Sequence, residues 1–356
     1  MRTRSLRLSA ALALPLLLLA GCSTAAPEAT TSETSAPSSS APASGTSATR
    51  TVTDQYGTRI EIPADVQRVA PTIGAFGHIT AVVGAADKIV ATIPSLGEGL
   101  FHEVWPQANP DGHDTANVEE IIASGAQVVY GPNVTEEVTA QLEAAGIVVI
   151  TIDRFGTPDE MMTAIELIGD IVGDNGPARA SAFTDFYAET IADVEDRVAG
   201  AEPVKVLNLR VGGDGYRTVG GNDISSAYAA SAGGDVVSAD VDSPDGTVGA
   251  EQILAWAPEV IFTMGRAARE QIVADPALAS VPAVQNGAVF TEPSGTYPWS
   301  VRSAEGVLMP VFLGTILHPE AFADLSLAEV TQAFYERFYG YELSDEQTAA
   351  VLAGSE

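Results

Sequence analysis

Cysteine is nearly missing. Cys22 is the only one, so no disulfide can form within the chain, and a cysteine-rich metal site is excluded. Positive charge is scarce: 17 Lys+Arg stand against 47 Asp+Glu, for a formal net charge of −30. Lys88 and Lys205 are the only lysines. Phosphate backbones are bound through clustered cations, so nucleic acid is excluded as a partner. The four histidines, His78, His102, His113 and His318, are scattered. They lack the grouping with acids that a directly bound transition metal needs. Haem asks for only one or two axial ligands, and His102 and His113 share a loop region that leaves it open. The catalytic signatures are missing too: no G-x-S-x-G elbow, no phosphate loop and no H-E-x-x-H. An exported enzyme using acids such as Asp153 or Glu305 is the alternative from a different class. Beyond the N-terminus no apolar run is long enough to cross a bilayer, which takes about 20 residues.

What is present begins with an export signal. Arg2, Arg4 and Arg7 precede an apolar run from Leu8 to Leu18 that ends at Leu19-Ala20-Gly21-Cys22. That run is too short to span and reads as the core of a signal peptide over 1–21. Small residues before a cysteine resemble the lipobox of bacterial lipoproteins. The resemblance implies acylation of Cys22, anchorage at the extracytoplasmic face of the cell membrane, and cleavage that takes the charge from −30 to −33. Residues 22–50, rich in Ser, Thr, Ala and Pro, hold almost nothing large enough to bury and are expected to form a disordered tether.

The folded body is 46% hydrophobic by whole-chain composition, ample for a sizeable core. Period-two segments around Asp54-Gln55-Tyr56-Gly57 predict a hairpin. Asn117 and Thr135 are helix caps before apolar-periodic runs, and each helix is followed by a short apolar strand. Alternation of this kind predicts a parallel sheet covered by helices. Pro158 opens a helical stretch to Gly200, broken near Gly173 to Gly176; its second part is about 33 Å long. Beyond it the pattern resumes, with closing helices near 303–317 and 327–339. Val118–Val129 can be laid over Ala250–Ile261, 132 residues on. Glu119/Glu251, Ile121/Ile253, Ala123/Ala255 and Val128/Val260 are identical. The expected fold class is α/β: two lobes with parallel-type sheets, 51–172 and 201–356, joined by a long helix over 173–200.

Four passages carry a family resemblance: Val52–Pro63 with Arg68-Val69; Asn117–Tyr130 with Gly249–Phe262; Gly215–Gly220 with Ala232–Asp235; and Tyr297–Gly306 with Leu317–Phe322. Together they make the body similar to the substrate-binding lipoproteins of ABC importers for ferric siderophores, haem and cobalamin. The resemblance implies that the helix over 173–200 is rigid, that a ligand cleft lies between the lobes, and that the protein is a monomer that hands its cargo to an ABC permease with its ATPase. The cargo would be an iron chelate, a ferric siderophore first, with haem, cobalamin, chelated nickel or an oxyanion as alternatives, and no resident cofactor. It also implies that Glu119 and Glu251, one per lobe, dock onto permease arginines; carboxylates at a rim pair well with Arg.

Ligand contacts belong on loops at the carboxyl ends of strands. Those loops hold Pro71–Phe76, Asn133 and Asp153–Phe155 in the first lobe, and Gly212–Arg217, Gly265-Arg266 and Tyr297–Arg302 in the second. The candidates are Arg154, Arg217, Arg266 and Arg302, whose planar forks suit oxygen-rich anions, and Tyr216, Tyr297 and Trp299, which offer flat apolar contact. Tyr216 and Arg217 are adjacent on a strand and point to opposite faces. Arg302 has Glu305 one turn on as an alternative partner. Trp256 and the Phe334, Tyr335, Phe338, Tyr339 set read as core.

Overall fold

The hairpin turn is closed by Asp54, whose carboxylate accepts from Tyr56 N at 2.9 Å and Thr58 N at 2.7 Å. It joins β1 (Thr49–Thr53) and β2 (Arg59–Pro63), antiparallel with Val52 opposite Ile60. The structure is a computed structural model describing residues 48–132, 134–213, 215–241 and 245–355. The signal segment, Cys22, nearly all of the tether and Asn133 lie outside the described residues.

A first parallel sheet follows. The chain runs through β3 (Val69–Pro71), α1 (Gly74–Thr80), β4 (Ala91–Thr92), α2 (Gly99–Val104), β5 (His113–Asp114), α3 (Val118–Ala123), β6 (Val128–Gly131), α4 (Glu136–Ala144) and β7 (Val148–Thr151). Strand order is β3-β6-β7, all parallel, and β4 pairs with β5 beside it. Both expected caps form: Asn117 Oδ1 accepts from Glu119 N at 2.9 Å and Thr135 Oγ1 from Val138 N at 3.3 Å.

Two long helices then connect the halves, α5 (Pro158–Val172) and α6 (Gly176–Arg197, 22 residues). Glycine is required where they approach. A β-carbon on Gly169 would lie 2.6 Å from Ala180 Cβ, and one on Gly176 would lie 2.6 Å from Gly169 O. The carboxyl end of α5 is held by two cations. Lys88 Nζ donates to Val172 O at 2.8 Å and pairs with Asp174 at 2.6 Å; Arg50 donates to Asp170 O and Ile171 O, both at 2.7 Å. Positive groups there satisfy open carbonyls and oppose the helix dipole. Arg50's role shows why β1 begins at Thr49, inside the stretch expected to be tether.

The second half contains β8 (Val204–Asn208), β9 (Arg210–Gly212), β10 (Gly215–Arg217), α7 (Ile224–Ser231), β11 (Gly234–Val236), β12 (Thr247–Val248), α8 (Ala250–Trp256), β13 (Val260–Thr263), α9 (Arg266–Ala274), α10 (Pro282–Gln285), β14 (Val289–Thr291), α11 (Met309–Leu317), α12 (Leu327–Phe334) and α13 (Asp345–Ala353). Its main sheet is parallel, in the order β11-β8-β13-β14, with a small antiparallel sheet β12-β10-β9. Helix α13 has no counterpart in the sequence reading; Ser344 and Gln347 cap it reciprocally.

Both parallel sheets are buried on both faces, as parallel sheets require. Val128 and Tyr130 enter the main core while Val129 enters a satellite core; Val206 and Phe262 enter the main core while Leu207 and Ile261 enter another. The main core runs without interruption from the first sheet through Phe183 and Tyr187 of α6 to the second. Moving the lobes apart therefore exposes apolar surface, at about 25 cal/mol per Å². The internal repeat is structural: α3–β6 and α8–β13 are each a short helix with a glutamate in its first turn leading into a fully buried strand. Even the turn between them matches, with Gly125 at φ 68° and Ala257 at φ 48°.

Candidate ligand-binding site

The carboxyl edge of the second sheet opens into a cavity of about 890 Å³. Its walls are the segments Arg210–Gly212 after β8, Arg217–Asp223 before α7, and Ala239–Val241 after β11, with Asp245 and Gly246. Arg210 and Arg217 face each other directly across the β9–β10 register. Like charges opposite one another destabilise a sheet pair. Here the two guanidiniums share one wall of the cavity, an arrangement that a bound anion would stabilise.

The seam with the first lobe runs beside this cavity. Arg302 Nη2 donates to Asp223 Oδ2 at 2.7 Å, and its guanidinium carbon sits 5.3 Å from the centre of the Phe155 ring. Phe155 meets Phe76 edge-to-face at 5.4 Å. A β-carbon on Gly156 would lie 2.8 Å from Asn222 O, so glycine permits the two loops to touch. Tyr297 crosses the same seam. Its ring stacks on His78 with centres 6.0 Å apart, and a β-carbon on Gly74 would come within 2.8 Å of it. Burial pushes the Tyr297 phenol pKa up, against the Ala75 N–H beside it.

Of the seven side chains picked from sequence, Arg217 lines the cavity, and Arg302 and Tyr297 stand at the seam. The other four are elsewhere. Tyr216 leaves β10 on the face opposite Arg217 and donates to Asp275; burial, then that hydrogen bond, raises its pKa. Trp299 is 0% exposed, its indole donating to Glu305 Oε2 at 2.8 Å. Arg266 lines a separate cavity of about 330 Å³ with Arg269 and Glu270, and its N–H donates to Ser355 O at 2.9 Å. The unforeseen α13 packs near that edge and brings the C-terminal residues there. Arg154 is exposed, 3.3 Å from Glu160, on a loop braced by Gln55 through its backbone at 3.0 Å and 2.6 Å. The ion pair of Arg302 is with Asp223, not with Glu305.

Glu305 is instead the hub of a fully buried network. Its Oε1 accepts from Thr296 N at 2.9 Å, Thr296 Oγ1 at 2.5 Å, Tyr335 OH at 2.7 Å and Tyr339 OH at 3.2 Å. His78 Nε2 of the first lobe lies 2.8 Å from both Thr296 Oγ1 and Tyr339 OH. Burial raises the Glu305 pKa despite these donors, and burial lowers that of His78 to about 3. Tyr335 and Tyr339 are thus polar ties as well as core residues. With Thr296 and Trp299 they fix the loop carrying Tyr297 and Arg302.

Glu119 and Glu251 are both exposed, each in the first turn of a helix that runs back into a parallel strand. A helix preceding such a strand starts at the sheet's carboxyl edge, so both acids sit at the carboxyl edges of their sheets. Arg210 was missed in the sequence although Arg210-Val211-Gly212-Gly213-Asp214-Gly215-Tyr216-Arg217 is a glycine-rich hairpin whose register pairs the two arginines. Among the described residues no group of three or more His, Cys, Asp or Glu could hold a metal, and no helix is long and apolar enough to cross a membrane.

A parallel α/β sheet in each lobe, a helical joint and a charged cavity at the strand ends define a solute-binding protein. A family profile described as "Periplasmic binding protein" matches residues 77–296. The chain belongs to that family. It is the extracytoplasmic solute-binding component of an ABC importer, working with a permease as a carrier and not as an enzyme. Molybdate-binding protein MolA of Haemophilus influenzae is 24% identical over 327 residues, 82% of this chain and 91% of that one. A periplasmic solute binding protein from Veillonella parvula superposes with a TM-score of 0.74 at 25% identity, covering 86% of this chain and 97% of the other. Helicobacter pylori CeuE, with Ni(II) bound, gives 0.69 at 20% identity, covering 85% and 99%.

Proposed function

We propose that the protein captures an anionic metal chelate of the ferric siderophore class and presents it to the permease while tethered to the membrane through acylated Cys22. The observation carrying this reading is the cavity of about 890 Å³ with Arg210 and Arg217 side by side on its wall. That volume suits an organic ligand, for which pockets of about 300–1,000 Å³ are usual, and far exceeds a single oxyanion. Arg217 and Arg302 would grip acidic groups of the chelate, and Tyr297 would offer its ring. Haem fits less well: among the described lining residues none is His, Tyr, Met or Cys, so an axial ligand would have to come from Tyr297 at the seam. Molybdate is the second reading, favoured by the name of the Haemophilus relative. The protein would act as a monomer, with Glu119 and Glu251 meeting permease arginines.

The test is a fluorescence titration of the purified protein, whose Trp299 lies in the loop before Arg302. The titrants are ferric carboxylate, hydroxamate and catecholate siderophores, haem, cobalamin and molybdate. A ferric siderophore should saturate at one equivalent. Arg217→Ala and Arg302→Ala should each weaken it by about tenfold or more, the loss of a charge-assisted contact. Saturation by molybdate alone, or a Soret shift with haem alone, overturns the siderophore reading.

A further inference from the structure

Four large hydrophobic side chains are exposed among the described residues: Tyr56, Ile122, Leu254 and Val273. Single exposed apolar residues are ordinary. Two of these four are not independent. The repeat that lays Val118 on Ala250 also lays Ile122 on Leu254, and these are 40% and 36% exposed. Each stands one turn after the repeat's shared acid, Glu119 or Glu251, and beside the shared Ala123 or Ala255. Glu, aliphatic and Ala at positions i, i+3 and i+4 lie on one helical face, and all six of these residues are exposed. The opposite face of each helix is spent on packing: Ile121 and Ile253, also identical in the repeat, are buried in the two smaller cores.

The acids are uncommitted. Glu120, next to Glu119, accepts from Asp114 N at 2.7 Å, whereas the carboxylates of Glu119 and Glu251 make no hydrogen bond or ion pair among the described residues. An exposed carboxylate beside an exposed aliphatic side chain is matched by a surface that sets a cation beside an apolar socket. A second copy of this chain is a poor match, because 47 Asp+Glu against 17 Lys+Arg give it a net charge of −30, and like charge keeps proteins apart. Anionic lipid is repelled on the same ground. The two patches belong to one body, since the main core runs without interruption from the first sheet to the second. They are therefore presented at a fixed separation, and a partner that engages one is held near the other.

We infer that Ile122 and Leu254 are the apolar anchors of the permease interface, each seated in a socket beside the cation that meets Glu119 or Glu251, so that the permease surface carries one arginine-and-socket motif twice. This rests on the reading that Glu119 and Glu251 face the permease. The division of labour is physical. Exposed ion pairs orient the encounter and add little to affinity; the aliphatic side chains supply the apolar burial that holds the complex.

The experiment measures binding of the purified protein to its permease and ATPase in lipid nanodiscs, by surface plasmon resonance at about 0.15 M and about 0.5 M salt. Ile122→Ala and Leu254→Ala should each weaken binding about fivefold to tenfold, to similar extents, and together about fiftyfold. Val273→Ala, at an exposed aliphatic outside the repeat, should change nothing, and Ile122→Leu should bind like the wild type. High salt should weaken all of them, yet leave the ratio between wild type and the double alanine variant unchanged, since apolar burial is not screened. These side chains are on the surface, so thermal unfolding midpoints should match the wild type and separate lost docking from lost folding. A double variant that binds the permease as tightly as wild type overturns the proposal. So does a wild-type dimer in sedimentation that the double variant loses, which assigns the patches to a second copy. Glu119→Arg with Glu251→Arg is scored separately in the same assay. If the reversal leaves binding intact while the truncations weaken it, the acid reading fails alone. If the reversal abolishes binding and the truncations do nothing, the anchors fail alone. Absence of wild-type binding overturns both.

Discussion

Replacing Glu305 by alanine should destabilise the protein more than almost any other single change. The carboxylate is fully buried and is the acceptor for Thr296 N, Trp299 Nε1, Tyr335 OH and Tyr339 OH. Hydroxyls can turn to other acceptors, but the backbone and indole N–H groups cannot. Each buried donor left alone costs about 1–3 kcal/mol, and relief from burying the carboxylate offsets part of it. The expected net loss is about 4 kcal/mol, which for a body of this size lowers Tm by about 6 °C. Glu305→Gln keeps a carbonyl for the Oε1 donors and opposes only Trp299 with its NH2, so about 1–2 kcal/mol is expected. Its pH dependence has a definite sign. Because burial raises the folded pKa, the wild-type carboxyl contributes stability that is fully present in acid and is lost as pH rises through and above the ordinary carboxylate range. The gap between wild type and Glu305→Gln should therefore be widest in acid and narrow as pH rises. Urea unfolding midpoints at several pH values measure it. An alanine variant within about 1 kcal/mol of wild type, or a gap that widens with pH, refutes the reasoning.

His78 should act in the opposite direction. Its folded pKa, lowered by burial to about 3, leaves the native ring neutral while the unfolded one protonates. The resulting stability is present above about pH 6.5 and lost as pH falls. Between about pH 7 and about pH 5 the wild type should lose about 2 kcal/mol that His78→Gln does not; parallel unfolding curves would refute this. For the rim acids, Glu119→Arg together with Glu251→Arg should abolish uptake in cells while leaving ligand affinity unchanged. The reversals cost each helix only about 1 kcal/mol through the dipole. A fall in affinity measured by the same titration would show that these residues serve the cavity instead.

Much of the fold was legible because it is encoded locally. Helix caps at Asn117 and Thr135, short apolar runs and the break near Gly173 to Gly176 are short-range signals. The repeat relating Val118 to Ala250 was visible because one supersecondary unit was built twice. Helix α13 was missed because it follows the passages that carried the resemblance, and its cue is only the Ser344/Gln347 capping box. The site was less legible. Strand alternation put Tyr216 and Arg217 on opposite faces without saying which lines the cavity, and Arg210 could have been paired with Arg217, since a glycine-rich hairpin fixes its own register. Trp299, Arg266 and Tyr216 were assigned by loop position, and loop position does not say which way a side chain turns.

The sequence alone carried the α/β class and the repeated helix–strand unit, since periodicity and capping are properties of neighbouring residues. Tertiary structure decided which charges meet. Arg302 chose Asp223, 79 residues away, over Glu305 three residues on, because Glu305 was taken by donors from Thr296, Trp299, Tyr335 and Tyr339. His78 meets Thr296, 218 residues away, only because the first lobe packs against the loop that carries Tyr297. Pairings of this kind depend on sheet order and burial, which no short window of sequence contains.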